Sequence, residues 1–510
     1  MSNPLPCSSA DKRRPGVSRR APWLVLVLAL GLAACSEAPD DGIRMGLASA
    51  PITLDPRQAT DAVSYRLCRL LYRALVDFDA HYKPVPELAR WQRLTSRHYR
   101  FTLLPQGRQF TDGTRLMASD VQATYASLLD PASTSPHRGS LEVIDHLVAI
   151  DPERVDFFLK RPDPLFPGRL VIGILPARAL AAGHDFAHSP LGSGPFRLLD
   201  WPDNGRLLLQ RRADGQRIGF LKVGDASVRA LKLARGEIDL LQGDMPHELL
   251  GWLRRRPGLR LETRPGTTFS YLGFNLDDPV VGRHEVRKAI ALAIDRQAII
   301  HYVLGDAARP AGALLPPDHW AGLQGRDGIA HDPERARTIL AGLGYGPDHP
   351  LRISYKTSSN PFRLRLATII ASQLHEIGIE VTIRSYDWGT FYGDIKAGRF
   401  QMYSLAWVGL KMPDIFRYVF HSGSVPPHGA NRGRFRDPET DRLIEQAEAT
   451  PGLAGQARLY RRLQAHLLEA LPYIPLWYED QVLAIRKDLA GYTLSADGNY
   501  DGLIQIHESE

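Results

Sequence analysis

The stretch Leu351–Trp407, LRISYKTSSNPFRLRLATIIASQLHEIGIEVTIRSYDWGTFYGDIKAGRFQMYSLAW, carries the most regular pattern in the chain. Leu351–Tyr355 reads as a short strand, and a helix spans about Phe362–Glu376 with Gly378 as its stop. Ile379, Val381 and Ile383 then take every second position, the period of a half-buried strand. Phe391–Ala397 reads as a second helix, ended by Gly398, and Phe400–Trp407 returns as a strand. Strand, helix and strand joined by short connections predict a sheet with crossover helices, right-handed wherever the joined strands are parallel. The expected class is therefore α/β, and function has to reside in the loops and clefts of that scaffold.

The same punctuation continues outward. Tyr99–Leu104 is strand-like, and Phe110-Thr111-Asp112-Gly113 contains a turn dipeptide. Asp120–Leu129 is helical and stops before Pro131. Asp332-Pro333-Glu334 places a cap before a proline at the first helical position, and that helix runs to the glycine-rich Gly342–Gly346. Asp437-Pro438-Glu439 repeats the start, with Thr450-Pro451-Gly452 as the stop. No low-complexity segment or internal repeat interrupts the alternation.

A length of 510 residues, 44% hydrophobic and 23% charged, allows two to four lobes, each with material for a core. It excludes a disulfide miniprotein, a collagen-like fibre and a disordered chain. A polytopic membrane protein is excluded as well: Ala21–Ala34 is the one long uncharged apolar run, and Asp295 interrupts Ala289–Ile300. The net charge of +7 is concentrated at the start, where Lys12, Arg13, Arg14, Arg19 and Arg20 stand against Asp11. Arg254-Arg255-Arg256 ends a helix-like stretch, where cations favour the helix dipole. Aromatics do not interleave with a long basic stripe, so nucleic acid is not an expected partner.

The N-terminus has the form of an export signal, a basic stretch followed by the apolar core Trp23–Leu32, too short for a comfortable bilayer span. Leu32-Ala33-Ala34-Cys35 resembles a bacterial lipobox, which implies a signal peptide over residues 1–34 and lipidation of Cys35. Ser18-Arg19-Arg20 only loosely resembles a twin-arginine signal, and the general secretory route is expected. The expected location is the periplasmic or cell-surface side of a bacterial membrane, lipid-anchored, with the leaflet left open. Of three cysteines, Cys7 leaves with the leader and Cys35 takes the lipid. Cys68 remains, a single thiol that cannot form an internal disulfide and is expected to be a buried apolar filler.

Motifs for catalysis fail on inspection. His247-Glu248-Leu249-Leu250-Gly251 begins like a zinc-protease helix, but glycine stands where the second histidine is required. Gly342-Leu343-Gly344-Tyr345-Gly346-Pro347 ends a helix rather than opening one, with proline at the third required glycine. No Cys-x-x-Cys, Gly-x-Ser-x-Gly or P-loop is present. No catalytic residue, metal site or cofactor is expected.

What remains is a set of segments in order. Phe101–Leu128, with Gly107, Phe110-Thr111-Asp112-Gly113 and Ser119-Asp120-Val121, opens it. Pro190-Leu191-Gly192-Ser193-Gly194-Pro195-Phe196 and Gly236-Glu237-Ile238-Asp239 follow. Then come Phe274-Asn275, Val286-Arg287-Lys288-Ala289 and Ala293-Ile294-Asp295-Arg296. Asp332-Pro333-Glu334-Arg335-Ala336, Gly344-Tyr345, Ile377-Gly378-Ile379-Glu380-Val381, Gly398-Arg399-Phe400 and Leu471-Pro472-Tyr473-Ile474-Pro475-Leu476 complete it. This ordered set resembles the family 5 extracellular solute-binding proteins, the oligopeptide, dipeptide and nickel receptors of ABC importers, over about Arg44 to Ile506.

The resemblance implies a periplasmic binding protein-like fold (type II, cluster C): two α/β lobes around a ligand cleft, plus an inserted third domain. Lobe I would comprise 36–72, 190–270 and 480–510, lobe II 73–189, and lobe III 271–479. It further implies a monomeric, non-enzymatic substrate-binding subunit that delivers peptides or peptide-like solutes to a permease and ATPase complex. Receptors for a metal chelate, opine or glycoside, or a sensor uncoupled from transport, are the alternatives. By position, Thr60, Asp61, Ala62, Tyr271, Trp388 and Trp407 match the family's cleft-lining positions, although Trp388 and Trp407 also fit a lobe III core. In many peptide-binding relatives an aspartate three residues after the matching tryptophan pairs with the peptide amine. Here that position is Leu410, followed by Lys411. Asp414 is expected either to replace the aspartate or to cap Ile415–Phe420. Met117 stands where relatives often place threonine, so a cap of about 1 kcal/mol is absent or supplied by a neighbour.

Overall fold

The computed structural model describes residues 42–509; the leader and Cys35 lie outside the described residues. Among these residues no helix is long and apolar enough to cross a membrane. Ile43–Leu47 (β1), Phe196–Asp203 (β2), Arg206–Arg211 (β3), Arg217–Lys222 (β4), Leu240–Gln242 (β5), Leu259–Phe274 (β6), Leu351–Ser358 (β7), Ile379–Tyr386 (β8), Met402–Trp407 (β9) and Tyr473–Arg486 (β10) share one mixed sheet. Their order is β8-β7-β9-β6-β10-β5-β1-β4-β3-β2, and Ala308–Pro310 pairs additionally with β10. Three helices matter for the site: Ala62–Leu71 (α1), Pro361–Glu376 (α2) and Trp388–Ala397 (α3).

The α/β reading of Leu351–Trp407 matches the structure. β7 pairs in parallel with β8 from Leu351↔Ile379 to Ser358↔Tyr386, and with β9 at Tyr355↔Met402. α2 buries Leu366, Ala367, Ile370 and Leu374, a single stripe at helical spacing, in one cluster with Ile353 and Tyr355 of β7. Full burial of each such leucine or isoleucine contributes roughly 1.5–3 kcal/mol. α3 starts three residues earlier than the sequence pattern suggests, because Asp387 accepts from the Thr390 amide at 3.1 Å and so caps a helix whose first residue is Trp388.

β6 and β10 are the long strands, and they join the two halves of the sheet. Leu259–Arg264 pairs with Gln481–Arg486, and Thr268–Gly273 pairs with Tyr473–Glu479. β10 continues into one half through β5, and β6 into the other through β9. The register shifts between Arg264 and Thr268, at the middle of the ribbon. A Cβ on Gly266 there would come within 2.0 Å of the Glu479 carbonyl oxygen, so glycine is what lets the two backbones close at the bulge.

Hydrophobic clusters follow the sheet. Ile43, Met45, Leu67, Phe220, Leu483 and Tyr500 pack together on the β1 side, and Cys68 is a buried member of that cluster. Between β1 and β2 the chain builds a separate four-stranded antiparallel sheet from Ala89–Thr95, His98–Leu103, Ile144–Ala149 and Arg154–Leu159. Its core stacks Phe101, Tyr125, Phe157 and Phe166 edge to face or tilted. The helix Ala118–Leu129 starts without a side-chain cap from Met117; Asp120 compensates in part by accepting from the Met117 amide at 2.7 Å.

Candidate functional site

A cavity of about 730 Å³ lies where the ends of several strands meet the starts of the helices that follow them. Gly46 and Leu47 at the end of β1 bound it, as do Tyr355, Thr357 and Ser358 at the end of β7. Asp61, Asn360 and Asp387, which cap α1, α2 and α3, all lie on its wall. The caps are local chemistry. Asp61 accepts from the Ser64 amide at 2.9 Å, and Asn360 accepts from the Phe362 and Arg363 amides at 3.0 and 3.1 Å. In open α/β sheets, the space beyond the strand ends is where ligands bind, and helix starts there favour negative charge.

The wall carries both signs of charge. Arg363, in the first turn of α2, forks onto Glu479 of β10, with one N–O distance of 3.0 Å, and lies 3.7 Å from Asp244. Burial pushes the Glu479 carboxyl up, but the Arg363 guanidinium outweighs it and holds the group below its ordinary range. Arg229, 2% exposed, spends its guanidinium on the carbonyls of Val223, Gly224 and Asp244. Arg66 of α1 differs: its guanidinium lies 5.3 Å over the Tyr500 ring, and its Nε has no hydrogen-bond partner. Among the described residues no carboxylate lies within ion-pair distance of it. Asp61 keeps one oxygen, Oδ2, without a partner, and burial raises its carboxyl against the hydrogen bonds from Ser64. Trp388 supplies an aromatic face, stacked on Tyr392 at 5.3 Å, and Tyr271 and Trp477 line the floor.

Of the residues singled out from the sequence, Thr60, Asp61, Ala62, Tyr271 and Trp388 line this cavity. Trp407, Leu410 and Asp414 do not. The half-buried Trp407 ring faces the Arg432 guanidinium at 4.8 Å and Tyr418 at 6.3 Å, inside the cluster formed with Phe416 and Tyr403. Leu410, 7% exposed, packs in the same cluster. Lys411 is no free cation, since its ammonium is 2.7 Å from Asp497 and 3.6 Å from Asp77. Asp414 lies off the cavity wall; it stands at the N-cap position of Ile415–Phe420 but its side chain makes no cap bond, pairing instead with Arg169 at 3.0 Å. Arg66, Asp244, Arg363 and Glu479 were missed. For Arg363 a local signal was available, the Asn360-Pro361 helix start that places it in a first turn; the other three carry none.

No group of three or more histidine, cysteine or acidic side chains among the described residues is arranged to hold a metal ion. His247 and Glu248 open a short helix, Glu248 pairing with Arg365 at 2.8 Å. Burial raises the Cys68 thiol well above its ordinary value, so it is an inert filler rather than a nucleophile.

Comparison with known proteins agrees with the geometry. The family described as bacterial extracellular solute-binding proteins, family 5 middle, matches residues 83–425, more than half of the chain. Di/tripeptide-binding protein 2 of Pseudomonas aeruginosa (strain UCBPP-PA14) is 28% identical, the match covering 93% of this chain and 96% of that protein. The glutathione-binding protein GsiB of Shigella boydii serotype 4 (strain Sb227) is 26% identical over 92% of this chain and 95% of its own. In fold, the chain is similar to the oligopeptide-binding protein AppA of Bacillus subtilis, solved with a nonapeptide. The TM-score is 0.84 at 22% identity, covering 92% of this chain and 99% of that one. The mixed α/β architecture is thus the periplasmic binding protein type expected from the sequence.

Proposed function

We propose, from the premise that the chain belongs to the family 5 bacterial extracellular solute-binding proteins, that it captures zwitterionic peptides or peptide-like solutes in the cavity between the two halves of its sheet and delivers them to an ABC importer. The observation that carries this reading is the pairing of Arg66, a guanidinium without a carboxylate partner, with the half-satisfied carboxylate of Asp61 on one cavity wall. A peptide carries the complement of both. Its carboxylate meets Arg66 and the helix starts, its ammonium meets Asp61, and apolar side chains lie against Trp388 without one required shape. A volume of about 730 Å³ falls within the range of small-molecule sites. The names of the relatives, a di/tripeptide and a glutathione binder, support the same class.

In this reading the described parts of 36–72, 190–270 and 480–510 are lobe I, 73–189 an inserted lobe II, and 271–479 lobe III. The β6–β10 ribbon is the hinge, and its bulge is the point of flexure. The chain acts as a monomer without catalysis, held at the outer face of a membrane by lipid on Cys35, and works with a permease and ATPase.

Calorimetry with di- and tripeptides, each also N-acetylated and C-amidated, tests the proposal. Removing one partner of a buried charge pair costs about 2 kcal/mol or more, a loss of roughly thirtyfold in affinity. The penalty for C-amidation should disappear in Arg66→Gln and that for N-acetylation in Asp61→Asn, where asparagine keeps the helix cap. Failure of every peptide to bind, or penalties insensitive to both substitutions, overturns it.

A further inference from the structure

A second cleft, of about 1120 Å³, shares no wall residue with the first. It lies at the seam where the turn around Gly107 of the four-stranded module meets the Ser193-Gly194 loop, the β3–β4 turn and the C-terminal segment near His507. The seam is held by the Thr111 amide donating to the Gly192 carbonyl at 3.0 Å and the Gly194 amide donating to Leu71 at 2.9 Å.

Five arginines bound this cleft, and their partners sort them into two kinds. Arg108 and Arg211 are spent on structure. Arg108 donates to the Leu116 carbonyl at 2.8 Å and pairs with Glu153, and Arg211 forks onto Asp214 and reaches the carbonyls of Leu503 and Ile506. Arg73, Arg115 and Arg212 are left short of negative charge. Arg115 shares with Arg108 the single carboxylate of Glu153, at 3.3 Å. Arg73 reaches only Glu87, at 3.5 Å, and burial pushes that carboxyl up to about 7, so near neutrality it is ionised only in part. Arg212 has no carboxylate within ion-pair distance among the described residues. It donates to the Gln109 and Gly194 carbonyls at 2.9 and 3.2 Å, with the like charges of Arg73 and Arg197 nearby. Ser193 adds a hydroxyl that is 2% exposed and has no hydrogen-bond partner. Gly107, at φ +72°, makes room for Arg73: a Cβ there would sit 3.0 Å from its Nε.

We propose that this cleft binds a phosphate group, held by Arg73, Arg212 and the Ser193 hydroxyl, independently of the solute in the main cavity. Guanidinium forks match the oxygens of a phosphate, and such charge-assisted bonds are about twice as strong as neutral ones. A tetrahedral oxyanion offers acceptors in several directions at once, which suits donors that come from three separate segments of chain. The phosphate is either free in solution or part of a lipid headgroup.

The full chain is titrated calorimetrically with inorganic phosphate and, separately, with dihexanoylphosphatidylglycerol below its micelle concentration. At least one binds the wild type, and affinity falls about tenfold or more in Arg212→Gln and in Arg73→Gln, and measurably in Ser193→Ala. Arg212 is exposed but bonds two seam carbonyls, so the melting temperature of Arg212→Gln is measured alongside, and a loss of affinity larger than any loss of stability is read as loss of contact. Tighter binding of the lipid identifies a headgroup, and tighter binding of phosphate a soluble source. Binding of neither, or equal binding by wild type and both arginine variants, overturns the proposal.

Discussion

The carboxylate of Asp414 offers a test in which structure and sequence lead to opposite results. Asp414 Oδ2 lies 3.0 Å from Arg169 Nη1, but the same guanidinium holds Asp163 at 2.6 Å. Glu448, paired with Arg417 at 2.8 Å and 3.8 Å from Arg161, is a third carboxylate in the group. Burial is the largest influence on Asp414. Arg169 opposes it, Asp163 and Glu448 add to it, and the carboxyl is pushed up from 3.8 to about 6. The folded state therefore holds this proton more tightly than the unfolded chain. Stability from this group is complete below about pH 4 and is lost as pH rises through about 6. Roughly two pKa units at about 1.4 kcal/mol each set an upper value of roughly 3 kcal/mol.

Asp414→Asn keeps an acceptor for Arg169 and removes the charge. The expected outcome is a variant more stable than the wild type at pH 7.5, by up to roughly 3 kcal/mol, with the difference shrinking toward zero at pH 4. Urea midpoints of both proteins at pH 4, 5, 6 and 7.5 measure it, and peptide affinity in the main cavity stays unchanged throughout. A stability difference that does not depend on pH, or a variant increasingly weaker than the wild type as pH rises, refutes the reasoning. Loss of peptide binding in Asp414→Asn would restore the residue to the ligand site.

Two further outcomes are expected. Gly266→Ala forces a methyl group against the Glu479 carbonyl at the bulge and lowers stability by about 1–3 kcal/mol, read as a fall in the urea midpoint; an unchanged midpoint would show that the β6–β10 ribbon yields freely there. On the proposed lipid anchor, Cys35→Ala abolishes incorporation of a fatty-acid analogue during metabolic labelling and prevents normal lipoprotein maturation, the multiple acyl chains of such an anchor being what stable attachment needs; equal labelling of both proteins would count against the anchor.

The alternation of strands and helices was legible because its causes are local. Asp332 and Asp437 cap the helices that follow them, and Ile379, Val381 and Ile383 repeat at the strand period whatever surrounds them. Part of the cavity lining was reached through the family resemblance, and the fold gives it a local cause. Asp61 and Trp388 stand where a strand hands over to a helix, and those handovers converge on the cavity. The charged residues were not legible, because a charge acquires its meaning from a partner that sequence spacing does not reveal. Lys411 reads as a cation beside a binding position until Asp497 neutralises it, and Asp414 reads as an anchor until Arg169, 245 residues away, takes it up. Arg363 carries the same formal charge as Arg66, yet Glu479 occupies the first and no carboxylate occupies the second. A charge removed from water without a partner is costly, and a fold can offset that cost with carbonyls, as it does for the buried Arg287 and Arg296, or with a bound ligand. Arg66 without a carboxylate beside the half-satisfied Asp61 in one cleft, and Arg212 beside the weakly paired Arg73 in the other, are therefore visible only in the folded chain, and they are the groups proposed to face a ligand.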